Sequence, residues 1–528
     1  MRRTIPIAAV LAACTLTATA AVGADAQTPG ARDDAFRVSS SKPTTVDARR
    51  GVLRNDSPAY RQIVDSSAVG AGSVVLAADG GFTYTPAGTA KSDSFTYTTS
   101  DAVRVYSEDE QPLATVGGVQ IGGSGFGSAV AEVPGTRNQY YGLTDRGPNV
   151  DGPNGSKIEP LPDFTPSIGR FVLRNGKAVL LKTIPLRAKD GHLLNGQVNP
   201  GASTNETITD LAGTVLPASA DGLDSEGLVA MPDGTFYVSD EYGPFIVHFD
   251  RTGRELSRFS PQTGTLPAEL ANRTPNKGME GLTVTPDGRT LVGIMQSALT
   301  QSDATAKPGK IPLVRIVTID LKTKQVREYP YLLQDPDATS SAVSEITALS
   351  STKFLVDERD GDVEPGAFKR LYVADIAKAT DVGPSAKVLG ATYSSALGLT
   401  VGGRSLEALV GKATTDQAST TLAAAGITPA TKTLKLDLGA LLTSLNPQGG
   451  FFGHDKIEGV AAVDGGRKLV ISNDSDFGIA GTTGDTAPFT LTPKLGPDGK
   501  VDSGEFLVVD LTKLQHPTST ATVSLRRT

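Results

Sequence analysis

From about residue 112 the chain repeats one unit, and that repeat constrains the fold more than any other feature. The unit is Glu-Gly-apolar, an alternating strand, a Pro-Asp-Gly or equivalent turn, a second strand, and a polar or acidic cluster. Glu226-Gly227-Leu228 leads through Pro232-Asp233-Gly234 to Ser239-Asp240-Glu241. Glu280-Gly281-Leu282 leads through Pro286-Asp287-Gly288 to Met295-Gln296. Glu345-Ile346-Thr347 runs to Asp357-Glu358-Arg359, and Glu458-Gly459-Val460 runs through Gly465-Gly466 to Asn473-Asp474. A degenerate first copy extends from Gly127-Ser128-Ala129 to Thr144-Asp145-Arg146. Copies about 50 to 65 residues apart predict an all-β propeller of four-stranded blades over 112–515. The 113 residues between Glu345 and Glu458 leave room for one further complete blade, so six is the best count, with five and seven open. The 58 glycines and 33 prolines suit short strands joined by many turns.

A propeller gathers its innermost strands around one axis, so an acidic position shared by successive blades becomes a ring of carboxylates. Glu226, Glu280, Glu345 and Glu458 would then repel one another and raise each other's pKa. A hard divalent cation relieves that repulsion, and carboxylates with backbone carbonyls suit calcium better than zinc. Alternatively, each Glu braces its own blade by accepting from backbone amides, which fits Glu345 best because Ile346 replaces the glycine there. Asp360-Gly361-Asp362-Val363-Glu364 and Asp474-Ser475-Asp476 space carboxylates at every second residue, as calcium loops do, or as surface turns do. Arg146 and Arg359 each follow an acidic residue at a strand end, where an arginine clamps a phosphate or carboxylate or else pairs with a neighbouring blade. His454, between Gly453 and Asp455, reads as a loop residue rather than a base.

Composition removes several chemistries. The single cysteine, Cys14, lies in the N-terminal apolar stretch, so a mature chain cleaved beyond it has no thiol for disulfides, thiolate zinc sites or iron–sulfur clusters. The 4 histidines are scattered singly, which argues against a histidine nucleophile or a His-rich zinc site. Around Ser124 the string Gly-Gly-Ser-Gly-Phe-Gly-Ser places Phe126 where a nucleophile elbow needs glycine, and no βαβ pattern follows to make it a dinucleotide loop. Lys plus Arg at 50 against Asp plus Glu at 57 gives a net charge of −7 without a basic block, which argues against nucleic acid or anionic membrane as main partner.

Residues 1–26 read as a secretory signal: Arg2 and Arg3, an apolar run from Ile5 to Val22, and an Ala24-Asp25-Ala26 cleavage site. The competing reading is a lipoprotein signal, because Leu11-Ala12-Ala13-Cys14 resembles a lipobox and would anchor the chain through Cys14. Residues 31–105 alternate in the strand period, with a hairpin predicted from Val74 through Asp79-Gly80-Gly81 to Phe82-Thr83-Tyr84. The opening Asp33-Asp34-Ala35, the Gly51-to-Asp56 stretch and the strings around Phe82 and Phe95 resemble bacterial cadherin-like and VCBS-type surface repeats. That likeness implies a small β-sandwich acting as spacer or adhesive unit, with cell-surface association. Ser57-Pro58-Ala59-Tyr60 replaces the usual acidic run and argues against calcium in this module.

The larger region resembles the bacterial phytase-like domain, known as "esterase-like activity of phytase". The likeness rests on Thr144-Asp145-Arg146-Gly147-Pro148-Asn149, Asp224-Ser225-Glu226-Gly227-Leu228, Ser239-Asp240-Glu241-Tyr242-Gly243-Pro244 and Asn276-Lys277-Gly278-Met279-Glu280. Gln296-Ser297, Glu358-Arg359, Ile457-Glu458-Gly459 and Asn473-Asp474 complete it. The resemblance implies a propeller that hydrolyses phosphoesters, and its kinship with β-propeller phytases implies calcium. On that basis Glu226, Asp240, Glu280, Glu345 and Glu458 are the expected metal ligands, Arg146 and Arg359 the phosphate clamps, and Glu241 or Asp474 the group orienting the attacking water. The expected partner is a small-molecule phosphoester. The rival readings are a non-catalytic surface or periplasmic propeller that binds a ligand or partner, and a propeller esterase or lactonase.

Overall fold

A computed structural model describes residues 30–58, 61–202 and 206–528. The signal-like stretch 1–26 and Cys14 lie outside the described residues. The chain is all-β, and its N-terminal module is a two-sheet sandwich. One sheet pairs Thr44–Val46, Phe82–Pro86 and Gly72–Leu76 in that order. The expected hairpin is present, with Val74 opposite Tyr84 and with Phe82 and Tyr84 buried on one face. The other sheet holds Asp34–Val38, Gln62–Ser66 and Ser92–Ser100, together with the chain's last strand, Thr518–Arg527. That strand runs parallel to Asp34–Val38 and antiparallel to Ser92–Ser100, and it sends Ala521, Val523 and Leu525 into the core beside Phe82, Tyr84, Phe95 and Tyr97. Arg527 follows in the same period, its guanidinium over the Tyr84 ring at 5.4 Å and donating to the Ala87 carbonyl at 2.8 Å.

Besides several smaller sheets, the remaining described residues build five four-stranded antiparallel sheets, the first and fifth joined edge to edge into one 8-stranded sheet where Lys177–Pro185 pairs in parallel with Val103–Glu108. Their first strands are Ala129–Glu132, Ser225–Ala230, Met279–Val284, Ala342–Ala348 and Ile457–Val463. Each touches the next, and the fifth touches the first, so the sheets radiate from a closed ring. The fifth sheet borrows its outermost strand, Val103–Glu108, from the segment leaving the sandwich. Thus the chain enters the ring through one domain crossing and returns to the sandwich at its end.

The ring is propeller-like, but it has five sheets where six were expected. Residues 345–458 contain the rest of the fourth sheet, including its last strand Thr431–Asp437, and an excursion between its third and fourth strands. The excursion forms a small hairpin, Ala391–Ser394 with Gly398–Val401, and two helices, Leu406–Val410 and Thr415–Ala424. These pack on the outer strands of the third sheet through Leu399, Leu406, Leu422 and Leu313. A length count cannot separate such an excursion from a blade. Its local chemistry can, because Thr414 and Gln417 form a reciprocal capping box that starts a helix.

The repeated Glu-Gly has two structural causes. The first strands of the second to fifth sheets all break register at this point, between Ser225 and Leu228, Met279 and Leu282, Val343 and Glu345, and Ile457 and Val460. Such bulges re-aim side chains beside sites. The glycine allows the neighbouring first strand to approach: a Cβ on Gly281 would lie 2.5 Å from the Ile346 nitrogen, and one on Gly459 would lie 2.6 Å from the Val130 nitrogen. The hydroxyls of Ser239 and Ser472 tie adjacent sheets by donating to the carbonyls of Glu280 and Gly127 at 2.7 and 2.8 Å.

Candidate functional site

The bulges and the ends of the second strands surround a polar cavity of about 510 Å³. Glu226, Glu280 and Glu458 line it from three different sheets, so three of the four repeated glutamates converge. Glu241, Asp474, Arg146 and Arg359 line it as well. The sharpest convergence is Asp224, Glu226 and Glu241, each offering a carboxylate oxygen within 4.8 Å of the others. Burial pushes Glu226 well above the usual carboxylate range, and the charges of Asp224, Glu280 and Glu241 push it further. Glu241 is raised in the same way, by burial first and then by Glu280 and Asp224. Its Oε1 accepts from Gln296 Nε2 at 2.6 Å. Glu280 is raised by burial, and its Oε2 is buried with no hydrogen-bond partner among the described residues. Glu458 is lifted to about 8, burial outweighing its ion pair with Arg359.

Two expected ligands are corrected by the structure. Asp240 does not line the cavity; its carboxylate accepts the backbone N–H groups of Gly243 and Asp224 and closes the local turn. Glu345 does not line it either. Its Oε1 accepts from Leu282 N at 3.1 Å and Ile346 N at 2.9 Å, bracing the third sheet against the fourth, as the structural alternative for this residue required.

The arginines reach the cavity but are engaged. Arg359 donates to Ser344 Oγ at 2.8 Å and to Glu458. Arg146 donates from Nη2 to Asn149 Oδ1 at 2.9 Å, lies over the Tyr242 ring at 4.9 Å and sits 3.5 Å from Glu206. Asp474 accepts from Lys456 Nζ at 2.9 Å and from Asp476 N at 2.9 Å. His454 bonds Asp502 at 2.7 Å and Glu505 at 3.3 Å. Burial opposes its charged form, yet these carboxylates lift it to about 9, so it is a cation rather than a base at neutral pH.

Both calcium-loop candidates are filled by lysines of the chain itself. The buried Lys369 Nζ meets Asp360 Oδ1 at 3.2 Å and the carbonyls of Asp362 and Asp455 at 2.9 and 2.7 Å. At Asp474-Ser475-Asp476, Lys494 pairs with Asp476 and Asp455 at 2.7 Å each and with Asp502 at 3.2 Å. The following Phe477 is held at φ 53° with its ring packed on Gly125, so the glycines around Ser124 serve close packing. Asp224, Lys277, Gln296, Lys456 and Lys494 line the site without having been assigned a role from sequence. For Asp224 and Lys456 a signal existed: each stands two residues before a repeated glutamate, hence on the same side of an extended strand.

The chain belongs to the phytase-like family described as "esterase-like activity of phytase", whose model matches residues 122–477. Residues 26–109 match a bacterial Ig domain. A curated relative from Arthroderma benhamiae, named only as an uncharacterized secreted protein, is 32% identical over 178 residues, covering 26% of this chain and 35% of that protein. The chain thus spans about a third of that relative's length. Among solved structures, regucalcin from Agrobacterium tumefaciens, titled a calcium-binding protein, gives a TM-score of 0.27 at 10% identity, covering 76% of this chain and 93% of its own. Virginiamycin B lyase from Staphylococcus aureus gives 0.27 at 12%, covering 77% and 99%. An α-L-arabinofuranosidase from Podospora anserina gives 0.30 at 9%, covering 77% and 97%. At such scores these likenesses carry no weight for mechanism. Among the described residues no helix is long and apolar enough to cross a membrane.

Proposed function

We propose that this chain is an exported, metal-dependent phosphoester hydrolase built on a five-bladed propeller. The observation that carries the reading is the convergence of Asp224, Glu226 and Glu241 in a cavity that also holds cationic side chains. The donor set fits a hard divalent cation, calcium above all: every donor is a carboxylate oxygen, and the neighbouring Glu280 Oε2 is buried with no hydrogen-bond partner among the described residues. Asp224, Glu226 and Glu241 would hold it, with Glu280 beside them. Bound there, calcium supplies positive charge against phosphate oxygens and acidifies water. Arg146, whose Nη1 makes no hydrogen bond among the described residues, steadies the phosphate, and Asp474 orients the attacking water. Among the described residues neither cysteine nor histidine lines the cavity, so direct attack by water is the simplest route. Family membership supports ester hydrolysis. The signal-like N-terminus and a relative named as secreted support export.

The test is a panel of phytate, p-nitrophenyl phosphate, an aryl carboxylate ester and a lactone, each with calcium and with chelator. Calcium-dependent release of phosphate is expected. Equal activity under chelator would discard the metal. Turnover of lactone or aryl ester alone would move the chain to the esterase reading. No turnover, with chelation lowering only the melting temperature, would leave a binding propeller.

A further inference from the structure

Apart from Lys277, each cationic side chain lining the cavity lies within ion-pair distance of a carboxylate of the chain. Arg146 faces Glu206, Lys157 pairs with Asp151, and Arg359 pairs with Glu458. Lys456 and Lys494 are bound by the aspartates of the fifth sheet. Lys277 is exposed and forms no ion pair among the described residues. Its ammonium spends one of three N–H donors on Gln296 Oε1, at 2.7 Å. The same amide's Nε2 donates to Glu241 Oε1, so the orientation of Gln296 is fixed at both ends: oxygen toward the lysine, nitrogen toward the carboxylate. The backbone is anchored as well. Gln296 N donates to the Gly278 carbonyl at 2.9 Å, and Lys277 N donates to the Thr274 carbonyl at 3.0 Å. Gly278 sits so close to the Glu241 carbonyl that a Cβ there would approach it to 2.1 Å. Asn276, at φ 57° in the same turn, leaves its Oδ1 buried with no hydrogen-bond partner among the described residues. A cation with two donors unspent among the described residues is therefore held in register with the Asp224–Glu226–Glu241 cluster by a rigid turn and an amide bridge.

We infer that Lys277 is an anion ligand of this site alongside Arg146, receiving an oxygen of the phosphate group beside that cluster, and that Gln296 is its positioning residue. The assignment rests on the hydrolase reading and transfers to Lys277 the role that sequence reasoning gave to Arg359, whose Nε, Nη1 and Nη2 already donate to Ser344, the Asp360 carbonyl and Glu458.

The test is calorimetric titration of inorganic phosphate into the calcium-saturated full-length chain, paired with kinetics on p-nitrophenyl phosphate. Lys277→Met is expected to weaken phosphate binding about tenfold or more and to raise KM in parallel, the loss of one charge-assisted bond. Calcium affinity and melting temperature should be unchanged, and Lys277→Arg should recover most of the binding. Gln296→Met should weaken phosphate less than Lys277→Met, and should add nothing in the Lys277→Met background. Wild-type phosphate affinity in Lys277→Met would overturn the inference while leaving the hydrolase reading intact. A wild-type chain that binds no phosphate with calcium present would instead bring down that reading and this inference together.

Discussion

The second and fifth sheets present carboxylates to one cavity from the same position of the same repeat, yet these are neutralised in opposite ways. On the fifth-sheet side the chain supplies its own cations: Arg359 for Glu458, Lys456 for Asp474, and Lys494 for Asp455, Asp476 and Asp502. On the second-sheet side Glu226 and Glu241 ion-pair with no lysine or arginine among the described residues, and burial with mutual repulsion pushes both well above the usual range. Buried carboxylates need a proton, a salt bridge or a metal. The difference teaches where an outside cation belongs: at the wall the chain left unpaired. Acidic spacing alone does not mark such a wall, since the two best calcium-loop patterns in the sequence are the ones that lysines fill.

The comparison can be broken or sharpened by experiment. The largest effect is expected from Lys494→Met, which removes the cation shared by three aspartates and leaves Asp455 without an ion-pair partner among the described residues. Removing one partner of a buried ion network costs about 3–5 kcal/mol, to be read by denaturant unfolding. A loss well under 1 kcal/mol would mean the fifth-sheet wall is not self-neutralised. Glu226→Gln should lower calcium affinity and phosphoester turnover by about 100-fold while sparing the fold, measured by calorimetry and initial rates. Glu345→Ala is expected to cost about 1–3 kcal/mol of stability, because it orphans the Leu282 and Ile346 N–H groups, yet leave calcium affinity unchanged. A matching fall in calcium affinity would return Glu345 to the ligand set.

The smallest effect is a pH slope in metal-free protein. Folded-state values of about 8 for Glu458 and about 7 for Asp240 and Asp357 lie above their ordinary ones near 4, with burial as the leading cause in each. The folded chain therefore holds more protons than the unfolded chain across that window. Stability is fully present below the unfolded values and falls as pH rises toward 8. Thermal melts in chelator should show that decline.

Much of this was legible in the sequence because it repeats. Period-2 alternation and Pro-Asp-Gly turns marked the strands, and an acidic position recurring after a fixed number of strands brought Glu226, Glu280 and Glu458 to one cavity. What escaped depends on contacts no period records. Glu345 shares the pattern, but its bulge is offset by one residue, between Val343 and Glu345, and turns its carboxylate onto backbone amides. Asp240 lies at a strand end like Glu241, but the pleat sends the two side chains to opposite sides. Lys369 and Lys494 could not be matched to their aspartates, which come from distant loops. The last strand, Thr518–Arg527, pairs with Ser92–Ser100 across more than four hundred residues, a pairing without local signature.

Anomalous diffraction from crystals of the chain soaked in a calcium-mimicking lanthanide tests the central claim most directly. The account predicts one strong peak among the carboxylate oxygens of Asp224, Glu226 and Glu241, lost in Glu226→Gln. A peak at Asp360–Glu364 or at Asp474–Asp476, with none among those three, would contradict it.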